Sequence, residues 1–158
     1  MDINNLKEKI KNGYAIKREE AIEVYNSDYE SLTAAADELR EYFCGNDFDV
    51  CTIINAKSGK CSENCKFCAQ SAHYHTNVKE YDLLDEEIIV KDALDKYKRG
   101  IPRYSMVASG KGLTPKDIDK ICSITKKIYE EAPDIKVCIS GGIISEESFE
   151  KLKEAGIT

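Results

Sequence analysis

Three short apolar runs, each followed by a helical pattern, constrain the fold of this chain more than any other feature of its sequence. The runs are rich in β-branched side chains and are short enough to be buried strands. They cover residues 50–54, 104–108 and 135–139. Repeated strand–helix units predict a parallel α/β sheet, either open or part of a (β/α) barrel.

Capping residues mark where the three intervening helices begin. Asp85, Thr114 and Ser145 each precede a helical pattern, and each side chain can accept a hydrogen bond from a first-turn amide. Apolar residues at helical spacing predict the faces that pack on the sheet. In the last two helices these are Ile118, Ile121, Ile124 and Ile128, and then Phe149, Leu152 and Ala155.

Residues 1–48 show helical patterns only. Three helices are expected there, with Gly13 and Gly45 ending the first and third, and with Phe43 on the apolar face of the third. The predicted fold class is therefore α/β, with an N-terminal helical segment over 1–48 and the first three βα units of a TIM-type barrel over 49–158. A closed barrel needs about 250 residues, so we expect the barrel to be incomplete and the chain to be truncated at its C-terminus.

Composition excludes several classes of function. The 158-residue chain has a net charge of −6 and no long basic run, which argues against nucleic-acid binding. No apolar stretch approaches the roughly 20 residues of a membrane span, and the N-terminus lacks a secretory signal pattern, so we expect a cytoplasmic protein. Seven cysteines in a reducing compartment favour metal or redox chemistry over disulfides.

Cys61, Cys65 and Cys68 form the strongest chemical motif. Three thiolates on one short loop can bind three irons of a cubane cluster and leave the fourth iron open. The alternative is a structural zinc site with His73 or His75 as the fourth ligand. The spacing, with three residues and then two between the cysteines and an aromatic before the last, favours the iron–sulfur cluster, and we expect both histidines to face solvent.

The sequence around these cysteines resembles the biotin synthases, a family of radical S-adenosylmethionine enzymes. The resemblance rests on IINAKSGKCSENCKFCAQS at residues 53–71 and on the Ala-His-Tyr that follows. It implies a TIM-type barrel in which Cys61, Cys65 and Cys68 hold a [4Fe-4S] cluster whose open iron chelates S-adenosylmethionine. It further implies reductive cleavage to a 5′-deoxyadenosyl radical and sulfur insertion into dethiobiotin to form biotin, which is a sulfurtransferase reaction.

The resemblance also implies cofactor contacts. Phe67 stands where the family places an aromatic beside the adenine, and packing at the barrel mouth is its structural alternative. Ser109 and Gly110, after the second strand, match a segment near the methionine amino group. No residue is implied as a catalytic acid or base.

Cys138 corresponds to a ligand of a second cluster, [2Fe-2S], in well-known members of the family. Ser105 stands where those members carry another cysteine ligand, so this chain is expected either to lack that cluster or to bind a different one. Cys138 is otherwise a small buried hydrophobe at a strand end. Cys44, Cys51 and Cys122 are isolated and are interpreted as core or surface thiols.

The resemblance implies dethiobiotin as substrate, an electron donor such as flavodoxin or ferredoxin, and a homodimer for a full-length protein. The isolated chain is expected to bind the cluster without cleaving S-adenosylmethionine and so to be an inactive fragment. Two alternatives remain open: a related radical enzyme of the hydrogenase-maturation type, and a non-catalytic zinc-binding module.

Overall fold

A computed structural model describes residues 2–158 of the chain. The chain folds as two compact units, Met1–Phe48 and Asp49–Thr158. That these units act as separate domains stays a prediction.

The elements in chain order are α1 (Ile3–Lys11), α2 (Arg18–Tyr25), α3 (Tyr29–Cys44), β1 (Cys51–Lys57), α4 (Glu86–Lys98), β2 (Arg103–Ala108), α5 (Pro115–Glu131), β3 (Lys136–Ser140) and α6 (Glu146–Glu154). Within residues 2–158, no helix is long and apolar enough to cross a bilayer.

The first unit is a small helical assembly in which α1 packs against α3. Leu6 and Ala35 are its buried apolar residues. The Lys7 ammonium lies 2.6 Å from the Glu38 carboxylate and ties the two helices together. Phe43, expected on the apolar face, is 60% exposed, so that expectation is wrong. Ala35 is the buried residue of α3, and the expected apolar face is not packed at the C-terminal end of the helix.

The second unit contains a three-stranded parallel sheet in the order β1–β2–β3. Ile53 pairs with Ser105, and Ser105 pairs with Cys138, so these three residues occupy one row across the sheet. The predicted α/β class with three consecutive βα units is confirmed. Thr158 follows α6 back to the sheet, and its N–H donates to the Val137 carbonyl at 2.9 Å.

The helices cover one face of this sheet and form the main core. Tyr104, Met106 and Val137 point into it from β2 and β3 and are fully buried. Burial, followed by the nearby Asp92 carboxylate, raises the pKa of Tyr104, whose hydroxyl lies 3.1 Å from Asp92. The predicted stripe of α5 is confirmed as the helical side of the core: Ile118, Ile121, Ile124 and Ile128 are at most 1% exposed.

The helix caps agree with the sequence at two positions out of three. Thr114 accepts from the Asp117 amide, and Ser145 accepts from the Ser148 amide, as predicted. Asp85 precedes α4, but its side chain makes no capping bond and lies 3.9 Å from the Lys120 ammonium instead. Phe149, expected on the buried face of α6, is 55% exposed, so that expectation is wrong, whereas Leu152 and Ala155 on the same helix pattern are buried.

The end of β1 is tied to the start of α5 by an ion pair. Lys57 Nζ lies 3.0 Å from Asp117 Oδ2, and the same oxygen accepts from the Thr114 hydroxyl at 2.9 Å. Burial opposes ionisation of Asp117, but the hydrogen bonds from Lys57 and Thr114 outweigh it and lower the pKa of the carboxyl. The charged form is therefore favoured in the folded state.

Replacing Ile124 by alanine should strongly destabilise the second unit. Ile124 is fully buried, so the substitution removes apolar contacts and leaves a cavity, at a cost of about 2–5 kcal/mol in unfolding free energy. Urea unfolding followed by circular dichroism measures the change. Lys126→Ala on the exposed side of the same helix is the control and should stay within about 0.5 kcal/mol of wild type. Equal stabilities for the two variants would contradict the assigned core.

Replacing Asp117 by asparagine should destabilise the chain in a pH-dependent way. Because the folded-state pKa is lowered, the charge stabilises the fold above the unfolded pKa of about 4 and this contribution disappears as pH falls through the folded pKa. We expect a deficit of about 1 kcal/mol at pH 7 that shrinks below about pH 4. Urea unfolding across pH measures it. Asp119→Asn, on the exposed side of α5, is the control and should stay within about 0.5 kcal/mol of wild type at pH 7, whereas a constant Asp117→Asn deficit at all pH values would refute the charge effect.

Candidate metal and cofactor site

The loops that follow the three strands meet at one edge of the sheet, as parallel pairing requires. The longest of them, between β1 and α4, carries the cysteine motif. Gly112 after β2 and Gly142 after β3 form a backbone bridge. A side chain at Gly112 would collide with the Ile143 carbonyl, so glycine is required for these two loops to approach so closely. The edge therefore gathers the predicted metal and cofactor segments.

The three motif cysteines lie on a well-bonded turn. Cys61 and Cys68 are half-buried, Cys65 is exposed, and the Cys68 N–H donates to the Cys65 carbonyl at 3.0 Å. Across residues 2–158, no three side chains of His, Cys, Asp or Glu converge closely enough to hold a metal ion. The structure thus brings the three thiols onto one short loop without closing their sulfurs around a common centre.

The donor set of this loop fits an iron–sulfur cluster better than a zinc ion. Thiolates are the ligands of iron–sulfur clusters, and three of them fall within eight residues. A zinc site needs a fourth ligand, but His73 is exposed and its Nε2 lies 3.0 Å from the Ser62 carbonyl. His75 is exposed as well, so both histidines face solvent as predicted.

Gly59 is the junction between the cysteine loop and the neighbouring strand. Its carbonyl accepts from the Ser109 hydroxyl at 2.7 Å, and its N–H donates to the side-chain oxygen of Gln70. Its φ of +77° and the close approach of Glu80 exclude a side chain here. Ser109, a predicted cofactor residue, is therefore linked by one hydrogen bond to the chain that enters the cysteine loop.

The other predicted cofactor residues lie on the same edge. Gly110 follows Ser109 directly and adopts a φ of +117°. Phe67 is 95% exposed, so packing of its ring at the barrel mouth is not observed. A cavity between the first two loops is lined by residues that include Lys57, Lys60, Lys111 and the acidic Asp82, together with Ser109 and Gly110. This cavity borders the predicted binding segment for the methionine group.

Cys138 lies on the sheet face that points away from the helices, here called the open face and defined by Cys51, Ile53, Arg103, Ser105 and Cys138. Ser105 is its register partner, and the Arg103 guanidinium lies 3.7 Å from its sulfur. Contact with Cys138, then with Asp49, raises the pKa of Arg103. Cys138 is half-buried beside polar groups and is not the buried hydrophobe of the alternative interpretation.

Sequence reasoning missed two features of this region. The sequence marks Gln70 only as part of the flank that resembles the biotin synthases, whereas in the structure its side chain contacts the chain that enters the loop. Cys51 was interpreted as an isolated thiol, but the strand register places it on the open face together with Cys138. The alternation of side chains along β1 and β3 indicates which face each cysteine occupies only when the strand register is also known. Cys44 is exposed and Cys122 is half-buried.

Solved structures of similar fold include a hydrogenase maturase and a methylornithine synthase. The chain is similar to HydG, a maturase of the [FeFe]-hydrogenase, with a TM-score of 0.75, 23% identity, and coverage of 99% of this chain and 35% of that one. It is also similar to methylornithine synthase, with a TM-score of 0.75, 21% identity, and coverage of 97% and 45%. At these identities the likeness establishes the fold alone.

Curated relatives at much higher identity are biotin synthases. The chain is 47% identical over 157 residues to the biotin synthase of Brachyspira hyodysenteriae, covering 99% of this chain and 47% of the relative. It is 48% identical over 155 residues to that of Akkermansia muciniphila, covering 98% and 48%. The chain therefore spans about half the length of the curated relatives that it matches.

A family model agrees with the cysteine motif and the fold. The model of the radical SAM superfamily matches residues 56–158, which include the cysteine loop and the elements from α4 to α6. The match begins in β1 and covers more than half of the chain, and the relatives at 47–48% identity extend over nearly all of it. On this evidence, the chain belongs to the radical S-adenosylmethionine superfamily.

Proposed function

We propose that this chain carries the radical-generating site of a biotin synthase, which inserts sulfur into dethiobiotin to form biotin. The observation that carries the proposal is the position of Cys61, Cys65 and Cys68 on the loop after β1, beside the Ser109–Gly110 segment after β2. Relatives named biotin synthase at 47–48% identity favour this activity over hydrogenase maturation, for which the structural neighbour is 23% identical.

The proposed roles follow the chemistry of the residues. The thiolates of Cys61, Cys65 and Cys68 would hold a [4Fe-4S] cluster, which supplies the electron that cleaves S-adenosylmethionine to a 5′-deoxyadenosyl radical. Phe67, almost fully exposed, offers a ring for the adenine to stack against. Ser109 and Gly110 would bound the site of the methionine amino group, and the Ser109 hydroxyl keeps that segment against the cysteine loop.

Further parts of the proposal concern partners and location. Dethiobiotin is the proposed substrate, a flavodoxin or ferredoxin the proposed electron donor, and a homodimer the proposed assembly of a full-length protein. All seven cysteines are free, which suits a reducing compartment, so we propose a cytoplasmic location.

Cys138 is proposed as a ligand of a second iron–sulfur centre whose ligand set differs from that of well-known biotin synthases. Ser105 is a poor iron ligand, and it occupies the register position beside Cys138. Cys51 lies on the same open face, but β2 separates it from Cys138, so Cys51 is not proposed as a ligand of this centre. A soft thiol beside the cationic Arg103 suits a cluster that carries negative charge.

Anaerobic reconstitution with iron and sulfide tests the first cluster. Wild type should take up at least about four irons and become brown, whereas Cys61→Ser, Cys65→Ser and Cys68→Ser should each lose that cluster. Cys122→Ser, remote on α5, is the matched control and should load normally. The electron paramagnetic resonance spectrum of the reduced cluster should change when S-adenosylmethionine is added. A colourless protein that retains stoichiometric zinc would establish the zinc-module alternative instead.

Iron content also tests the second centre. Fully loaded wild type should contain more than about four irons per chain, and Cys138→Ser should remove the excess while the first cluster remains. Iron and sulfide analysis with Mössbauer spectroscopy measures the two populations. Equal iron in wild type and Cys138→Ser would refute the second centre and leave the first proposal intact.

A further inference from the structure

Gln70 is the only glutamine of the sequence and lies two residues beyond the cysteine motif. Its side chain is folded back toward the end of β1. Its Oε1 accepts from the Ser58 hydroxyl at 3.1 Å and from the Gly59 N–H. Ser58 is only 2% exposed, so this contact is largely protected from water. One side-chain oxygen thus holds two consecutive residues that lead into the loop.

The main chain of Gln70 holds the first cysteine. The Cys61 N–H donates to the Gln70 carbonyl at 3.0 Å, and the Ala72 N–H donates to the Cys61 carbonyl at 2.8 Å. The side chain and backbone of Gln70 therefore bracket the segment from Ser58 to Cys61. The loop is closed at its base by one residue.

Ser71 adds hydrogen bonds nearer the middle of the cysteine loop. Its hydroxyl donates to the Glu63 carbonyl at 2.7 Å, and its N–H donates to the Cys68 carbonyl at 3.3 Å. Ser71 is 4% exposed. The residues just after the motif thus contact the backbone at two of the three cysteines and between them.

We propose that Gln70 is a positioning residue that sets the spacing of the three thiols and couples the loop to Ser109 through Gly59. The inference rests on the proposed function, because it takes Cys61, Cys65 and Cys68 as the ligands. Gly59 is the shared element: its N–H bonds Gln70 and its carbonyl bonds Ser109. A shift of Gln70 therefore moves both the cluster ligands and the proposed cofactor segment.

The amide side chain suits this position for a chemical reason. Its oxygen accepts two hydrogen bonds, as here, without adding charge beside three thiolates. Leucine has a similar size and no acceptor, so it leaves the Ser58 hydroxyl and the Gly59 N–H without their partner. Glutamate keeps the acceptor oxygens but adds a negative charge, which opposes reduction of a nearby cluster.

Three variants of the 158-residue chain separate these effects: Gln70→Leu, Gln70→Glu and the control Ser123→Ala. Ser123→Ala removes one side-chain hydrogen bond, from the Ser123 hydroxyl on α5 to the Glu86 carboxylate at 3.0 Å. This bond does not involve the cysteine loop. After reconstitution, iron release to a chelator should be about tenfold faster for Gln70→Leu, reflecting two lost hydrogen bonds. Gln70→Glu should restore slow release and shift the cluster reduction potential to more negative values. Ser123→Ala should match wild type in both.

Hydrogen exchange at the Gly59 and Cys61 amides tests the proposed role of Gln70 without any cluster. In the cluster-free chain, exchange should be about tenfold faster in Gln70→Leu than in wild type and Ser123→Ala. Failure of wild type to bind iron would refute the proposed function, while this exchange result would still decide the role of Gln70. Equal exchange in Gln70→Leu and wild type, or equal iron release in all three variants, would overturn the inference.

Discussion

Parallel pairing of β1, β2 and β3 is the constraint on which the rest of the second unit depends. It sends every strand in the same direction, so the cysteine loop, the Ser109–Gly110 segment and Gly142 all emerge at one edge. It also requires a crossover between successive strands, and α4 and α5 supply these on one face. The buried isoleucines of α5 stabilise that arrangement. The residues proposed to carry chemistry consequently lie at the strand ends and on the open face.

The two faces of the sheet carry different kinds of residue because successive side chains of a strand point to opposite faces. Tyr104, Met106 and Val137 point toward the helices and are fully buried, whereas Ile53 on the open face is 64% exposed. The polar and thiol residues of β2 and β3, namely Arg103, Ser105 and Cys138, occupy the open face. A face that needs no apolar packing from the helices is free to carry ligands. The alternation of side chains along the strands thus places the core residues on one face and the proposed ligand residues on the other.

Local sequence rules were sufficient where one interaction dominates. The Thr114–Pro115 start and the isoleucine period of α5 identified that helix and its buried face, because capping and burial act within one element. Asp85 occupies the N-cap position of α4, but its side chain makes no capping bond. The motif spacing identified the three candidate ligands. The placement of Cys51 on the same open face as Cys138, although β2 lies between them, depends on strand register, which a single sequence does not specify.

The same limit explains why Gln70 could not be recognised from its motif alone. A glutamine after a metal-binding loop has no intrinsic preference for that position, and its importance arises from a contact with Gly59, eleven residues earlier. That contact depends in turn on a glycine whose φ of +77° turns the chain out of β1. Gly59 also accepts a hydrogen bond from Ser109. The residue just after β1 therefore positions both the loop after β1 and the loop after β2. The flanks of the cysteine motif are therefore part of the site, since they determine where the thiols lie relative to the neighbouring strand.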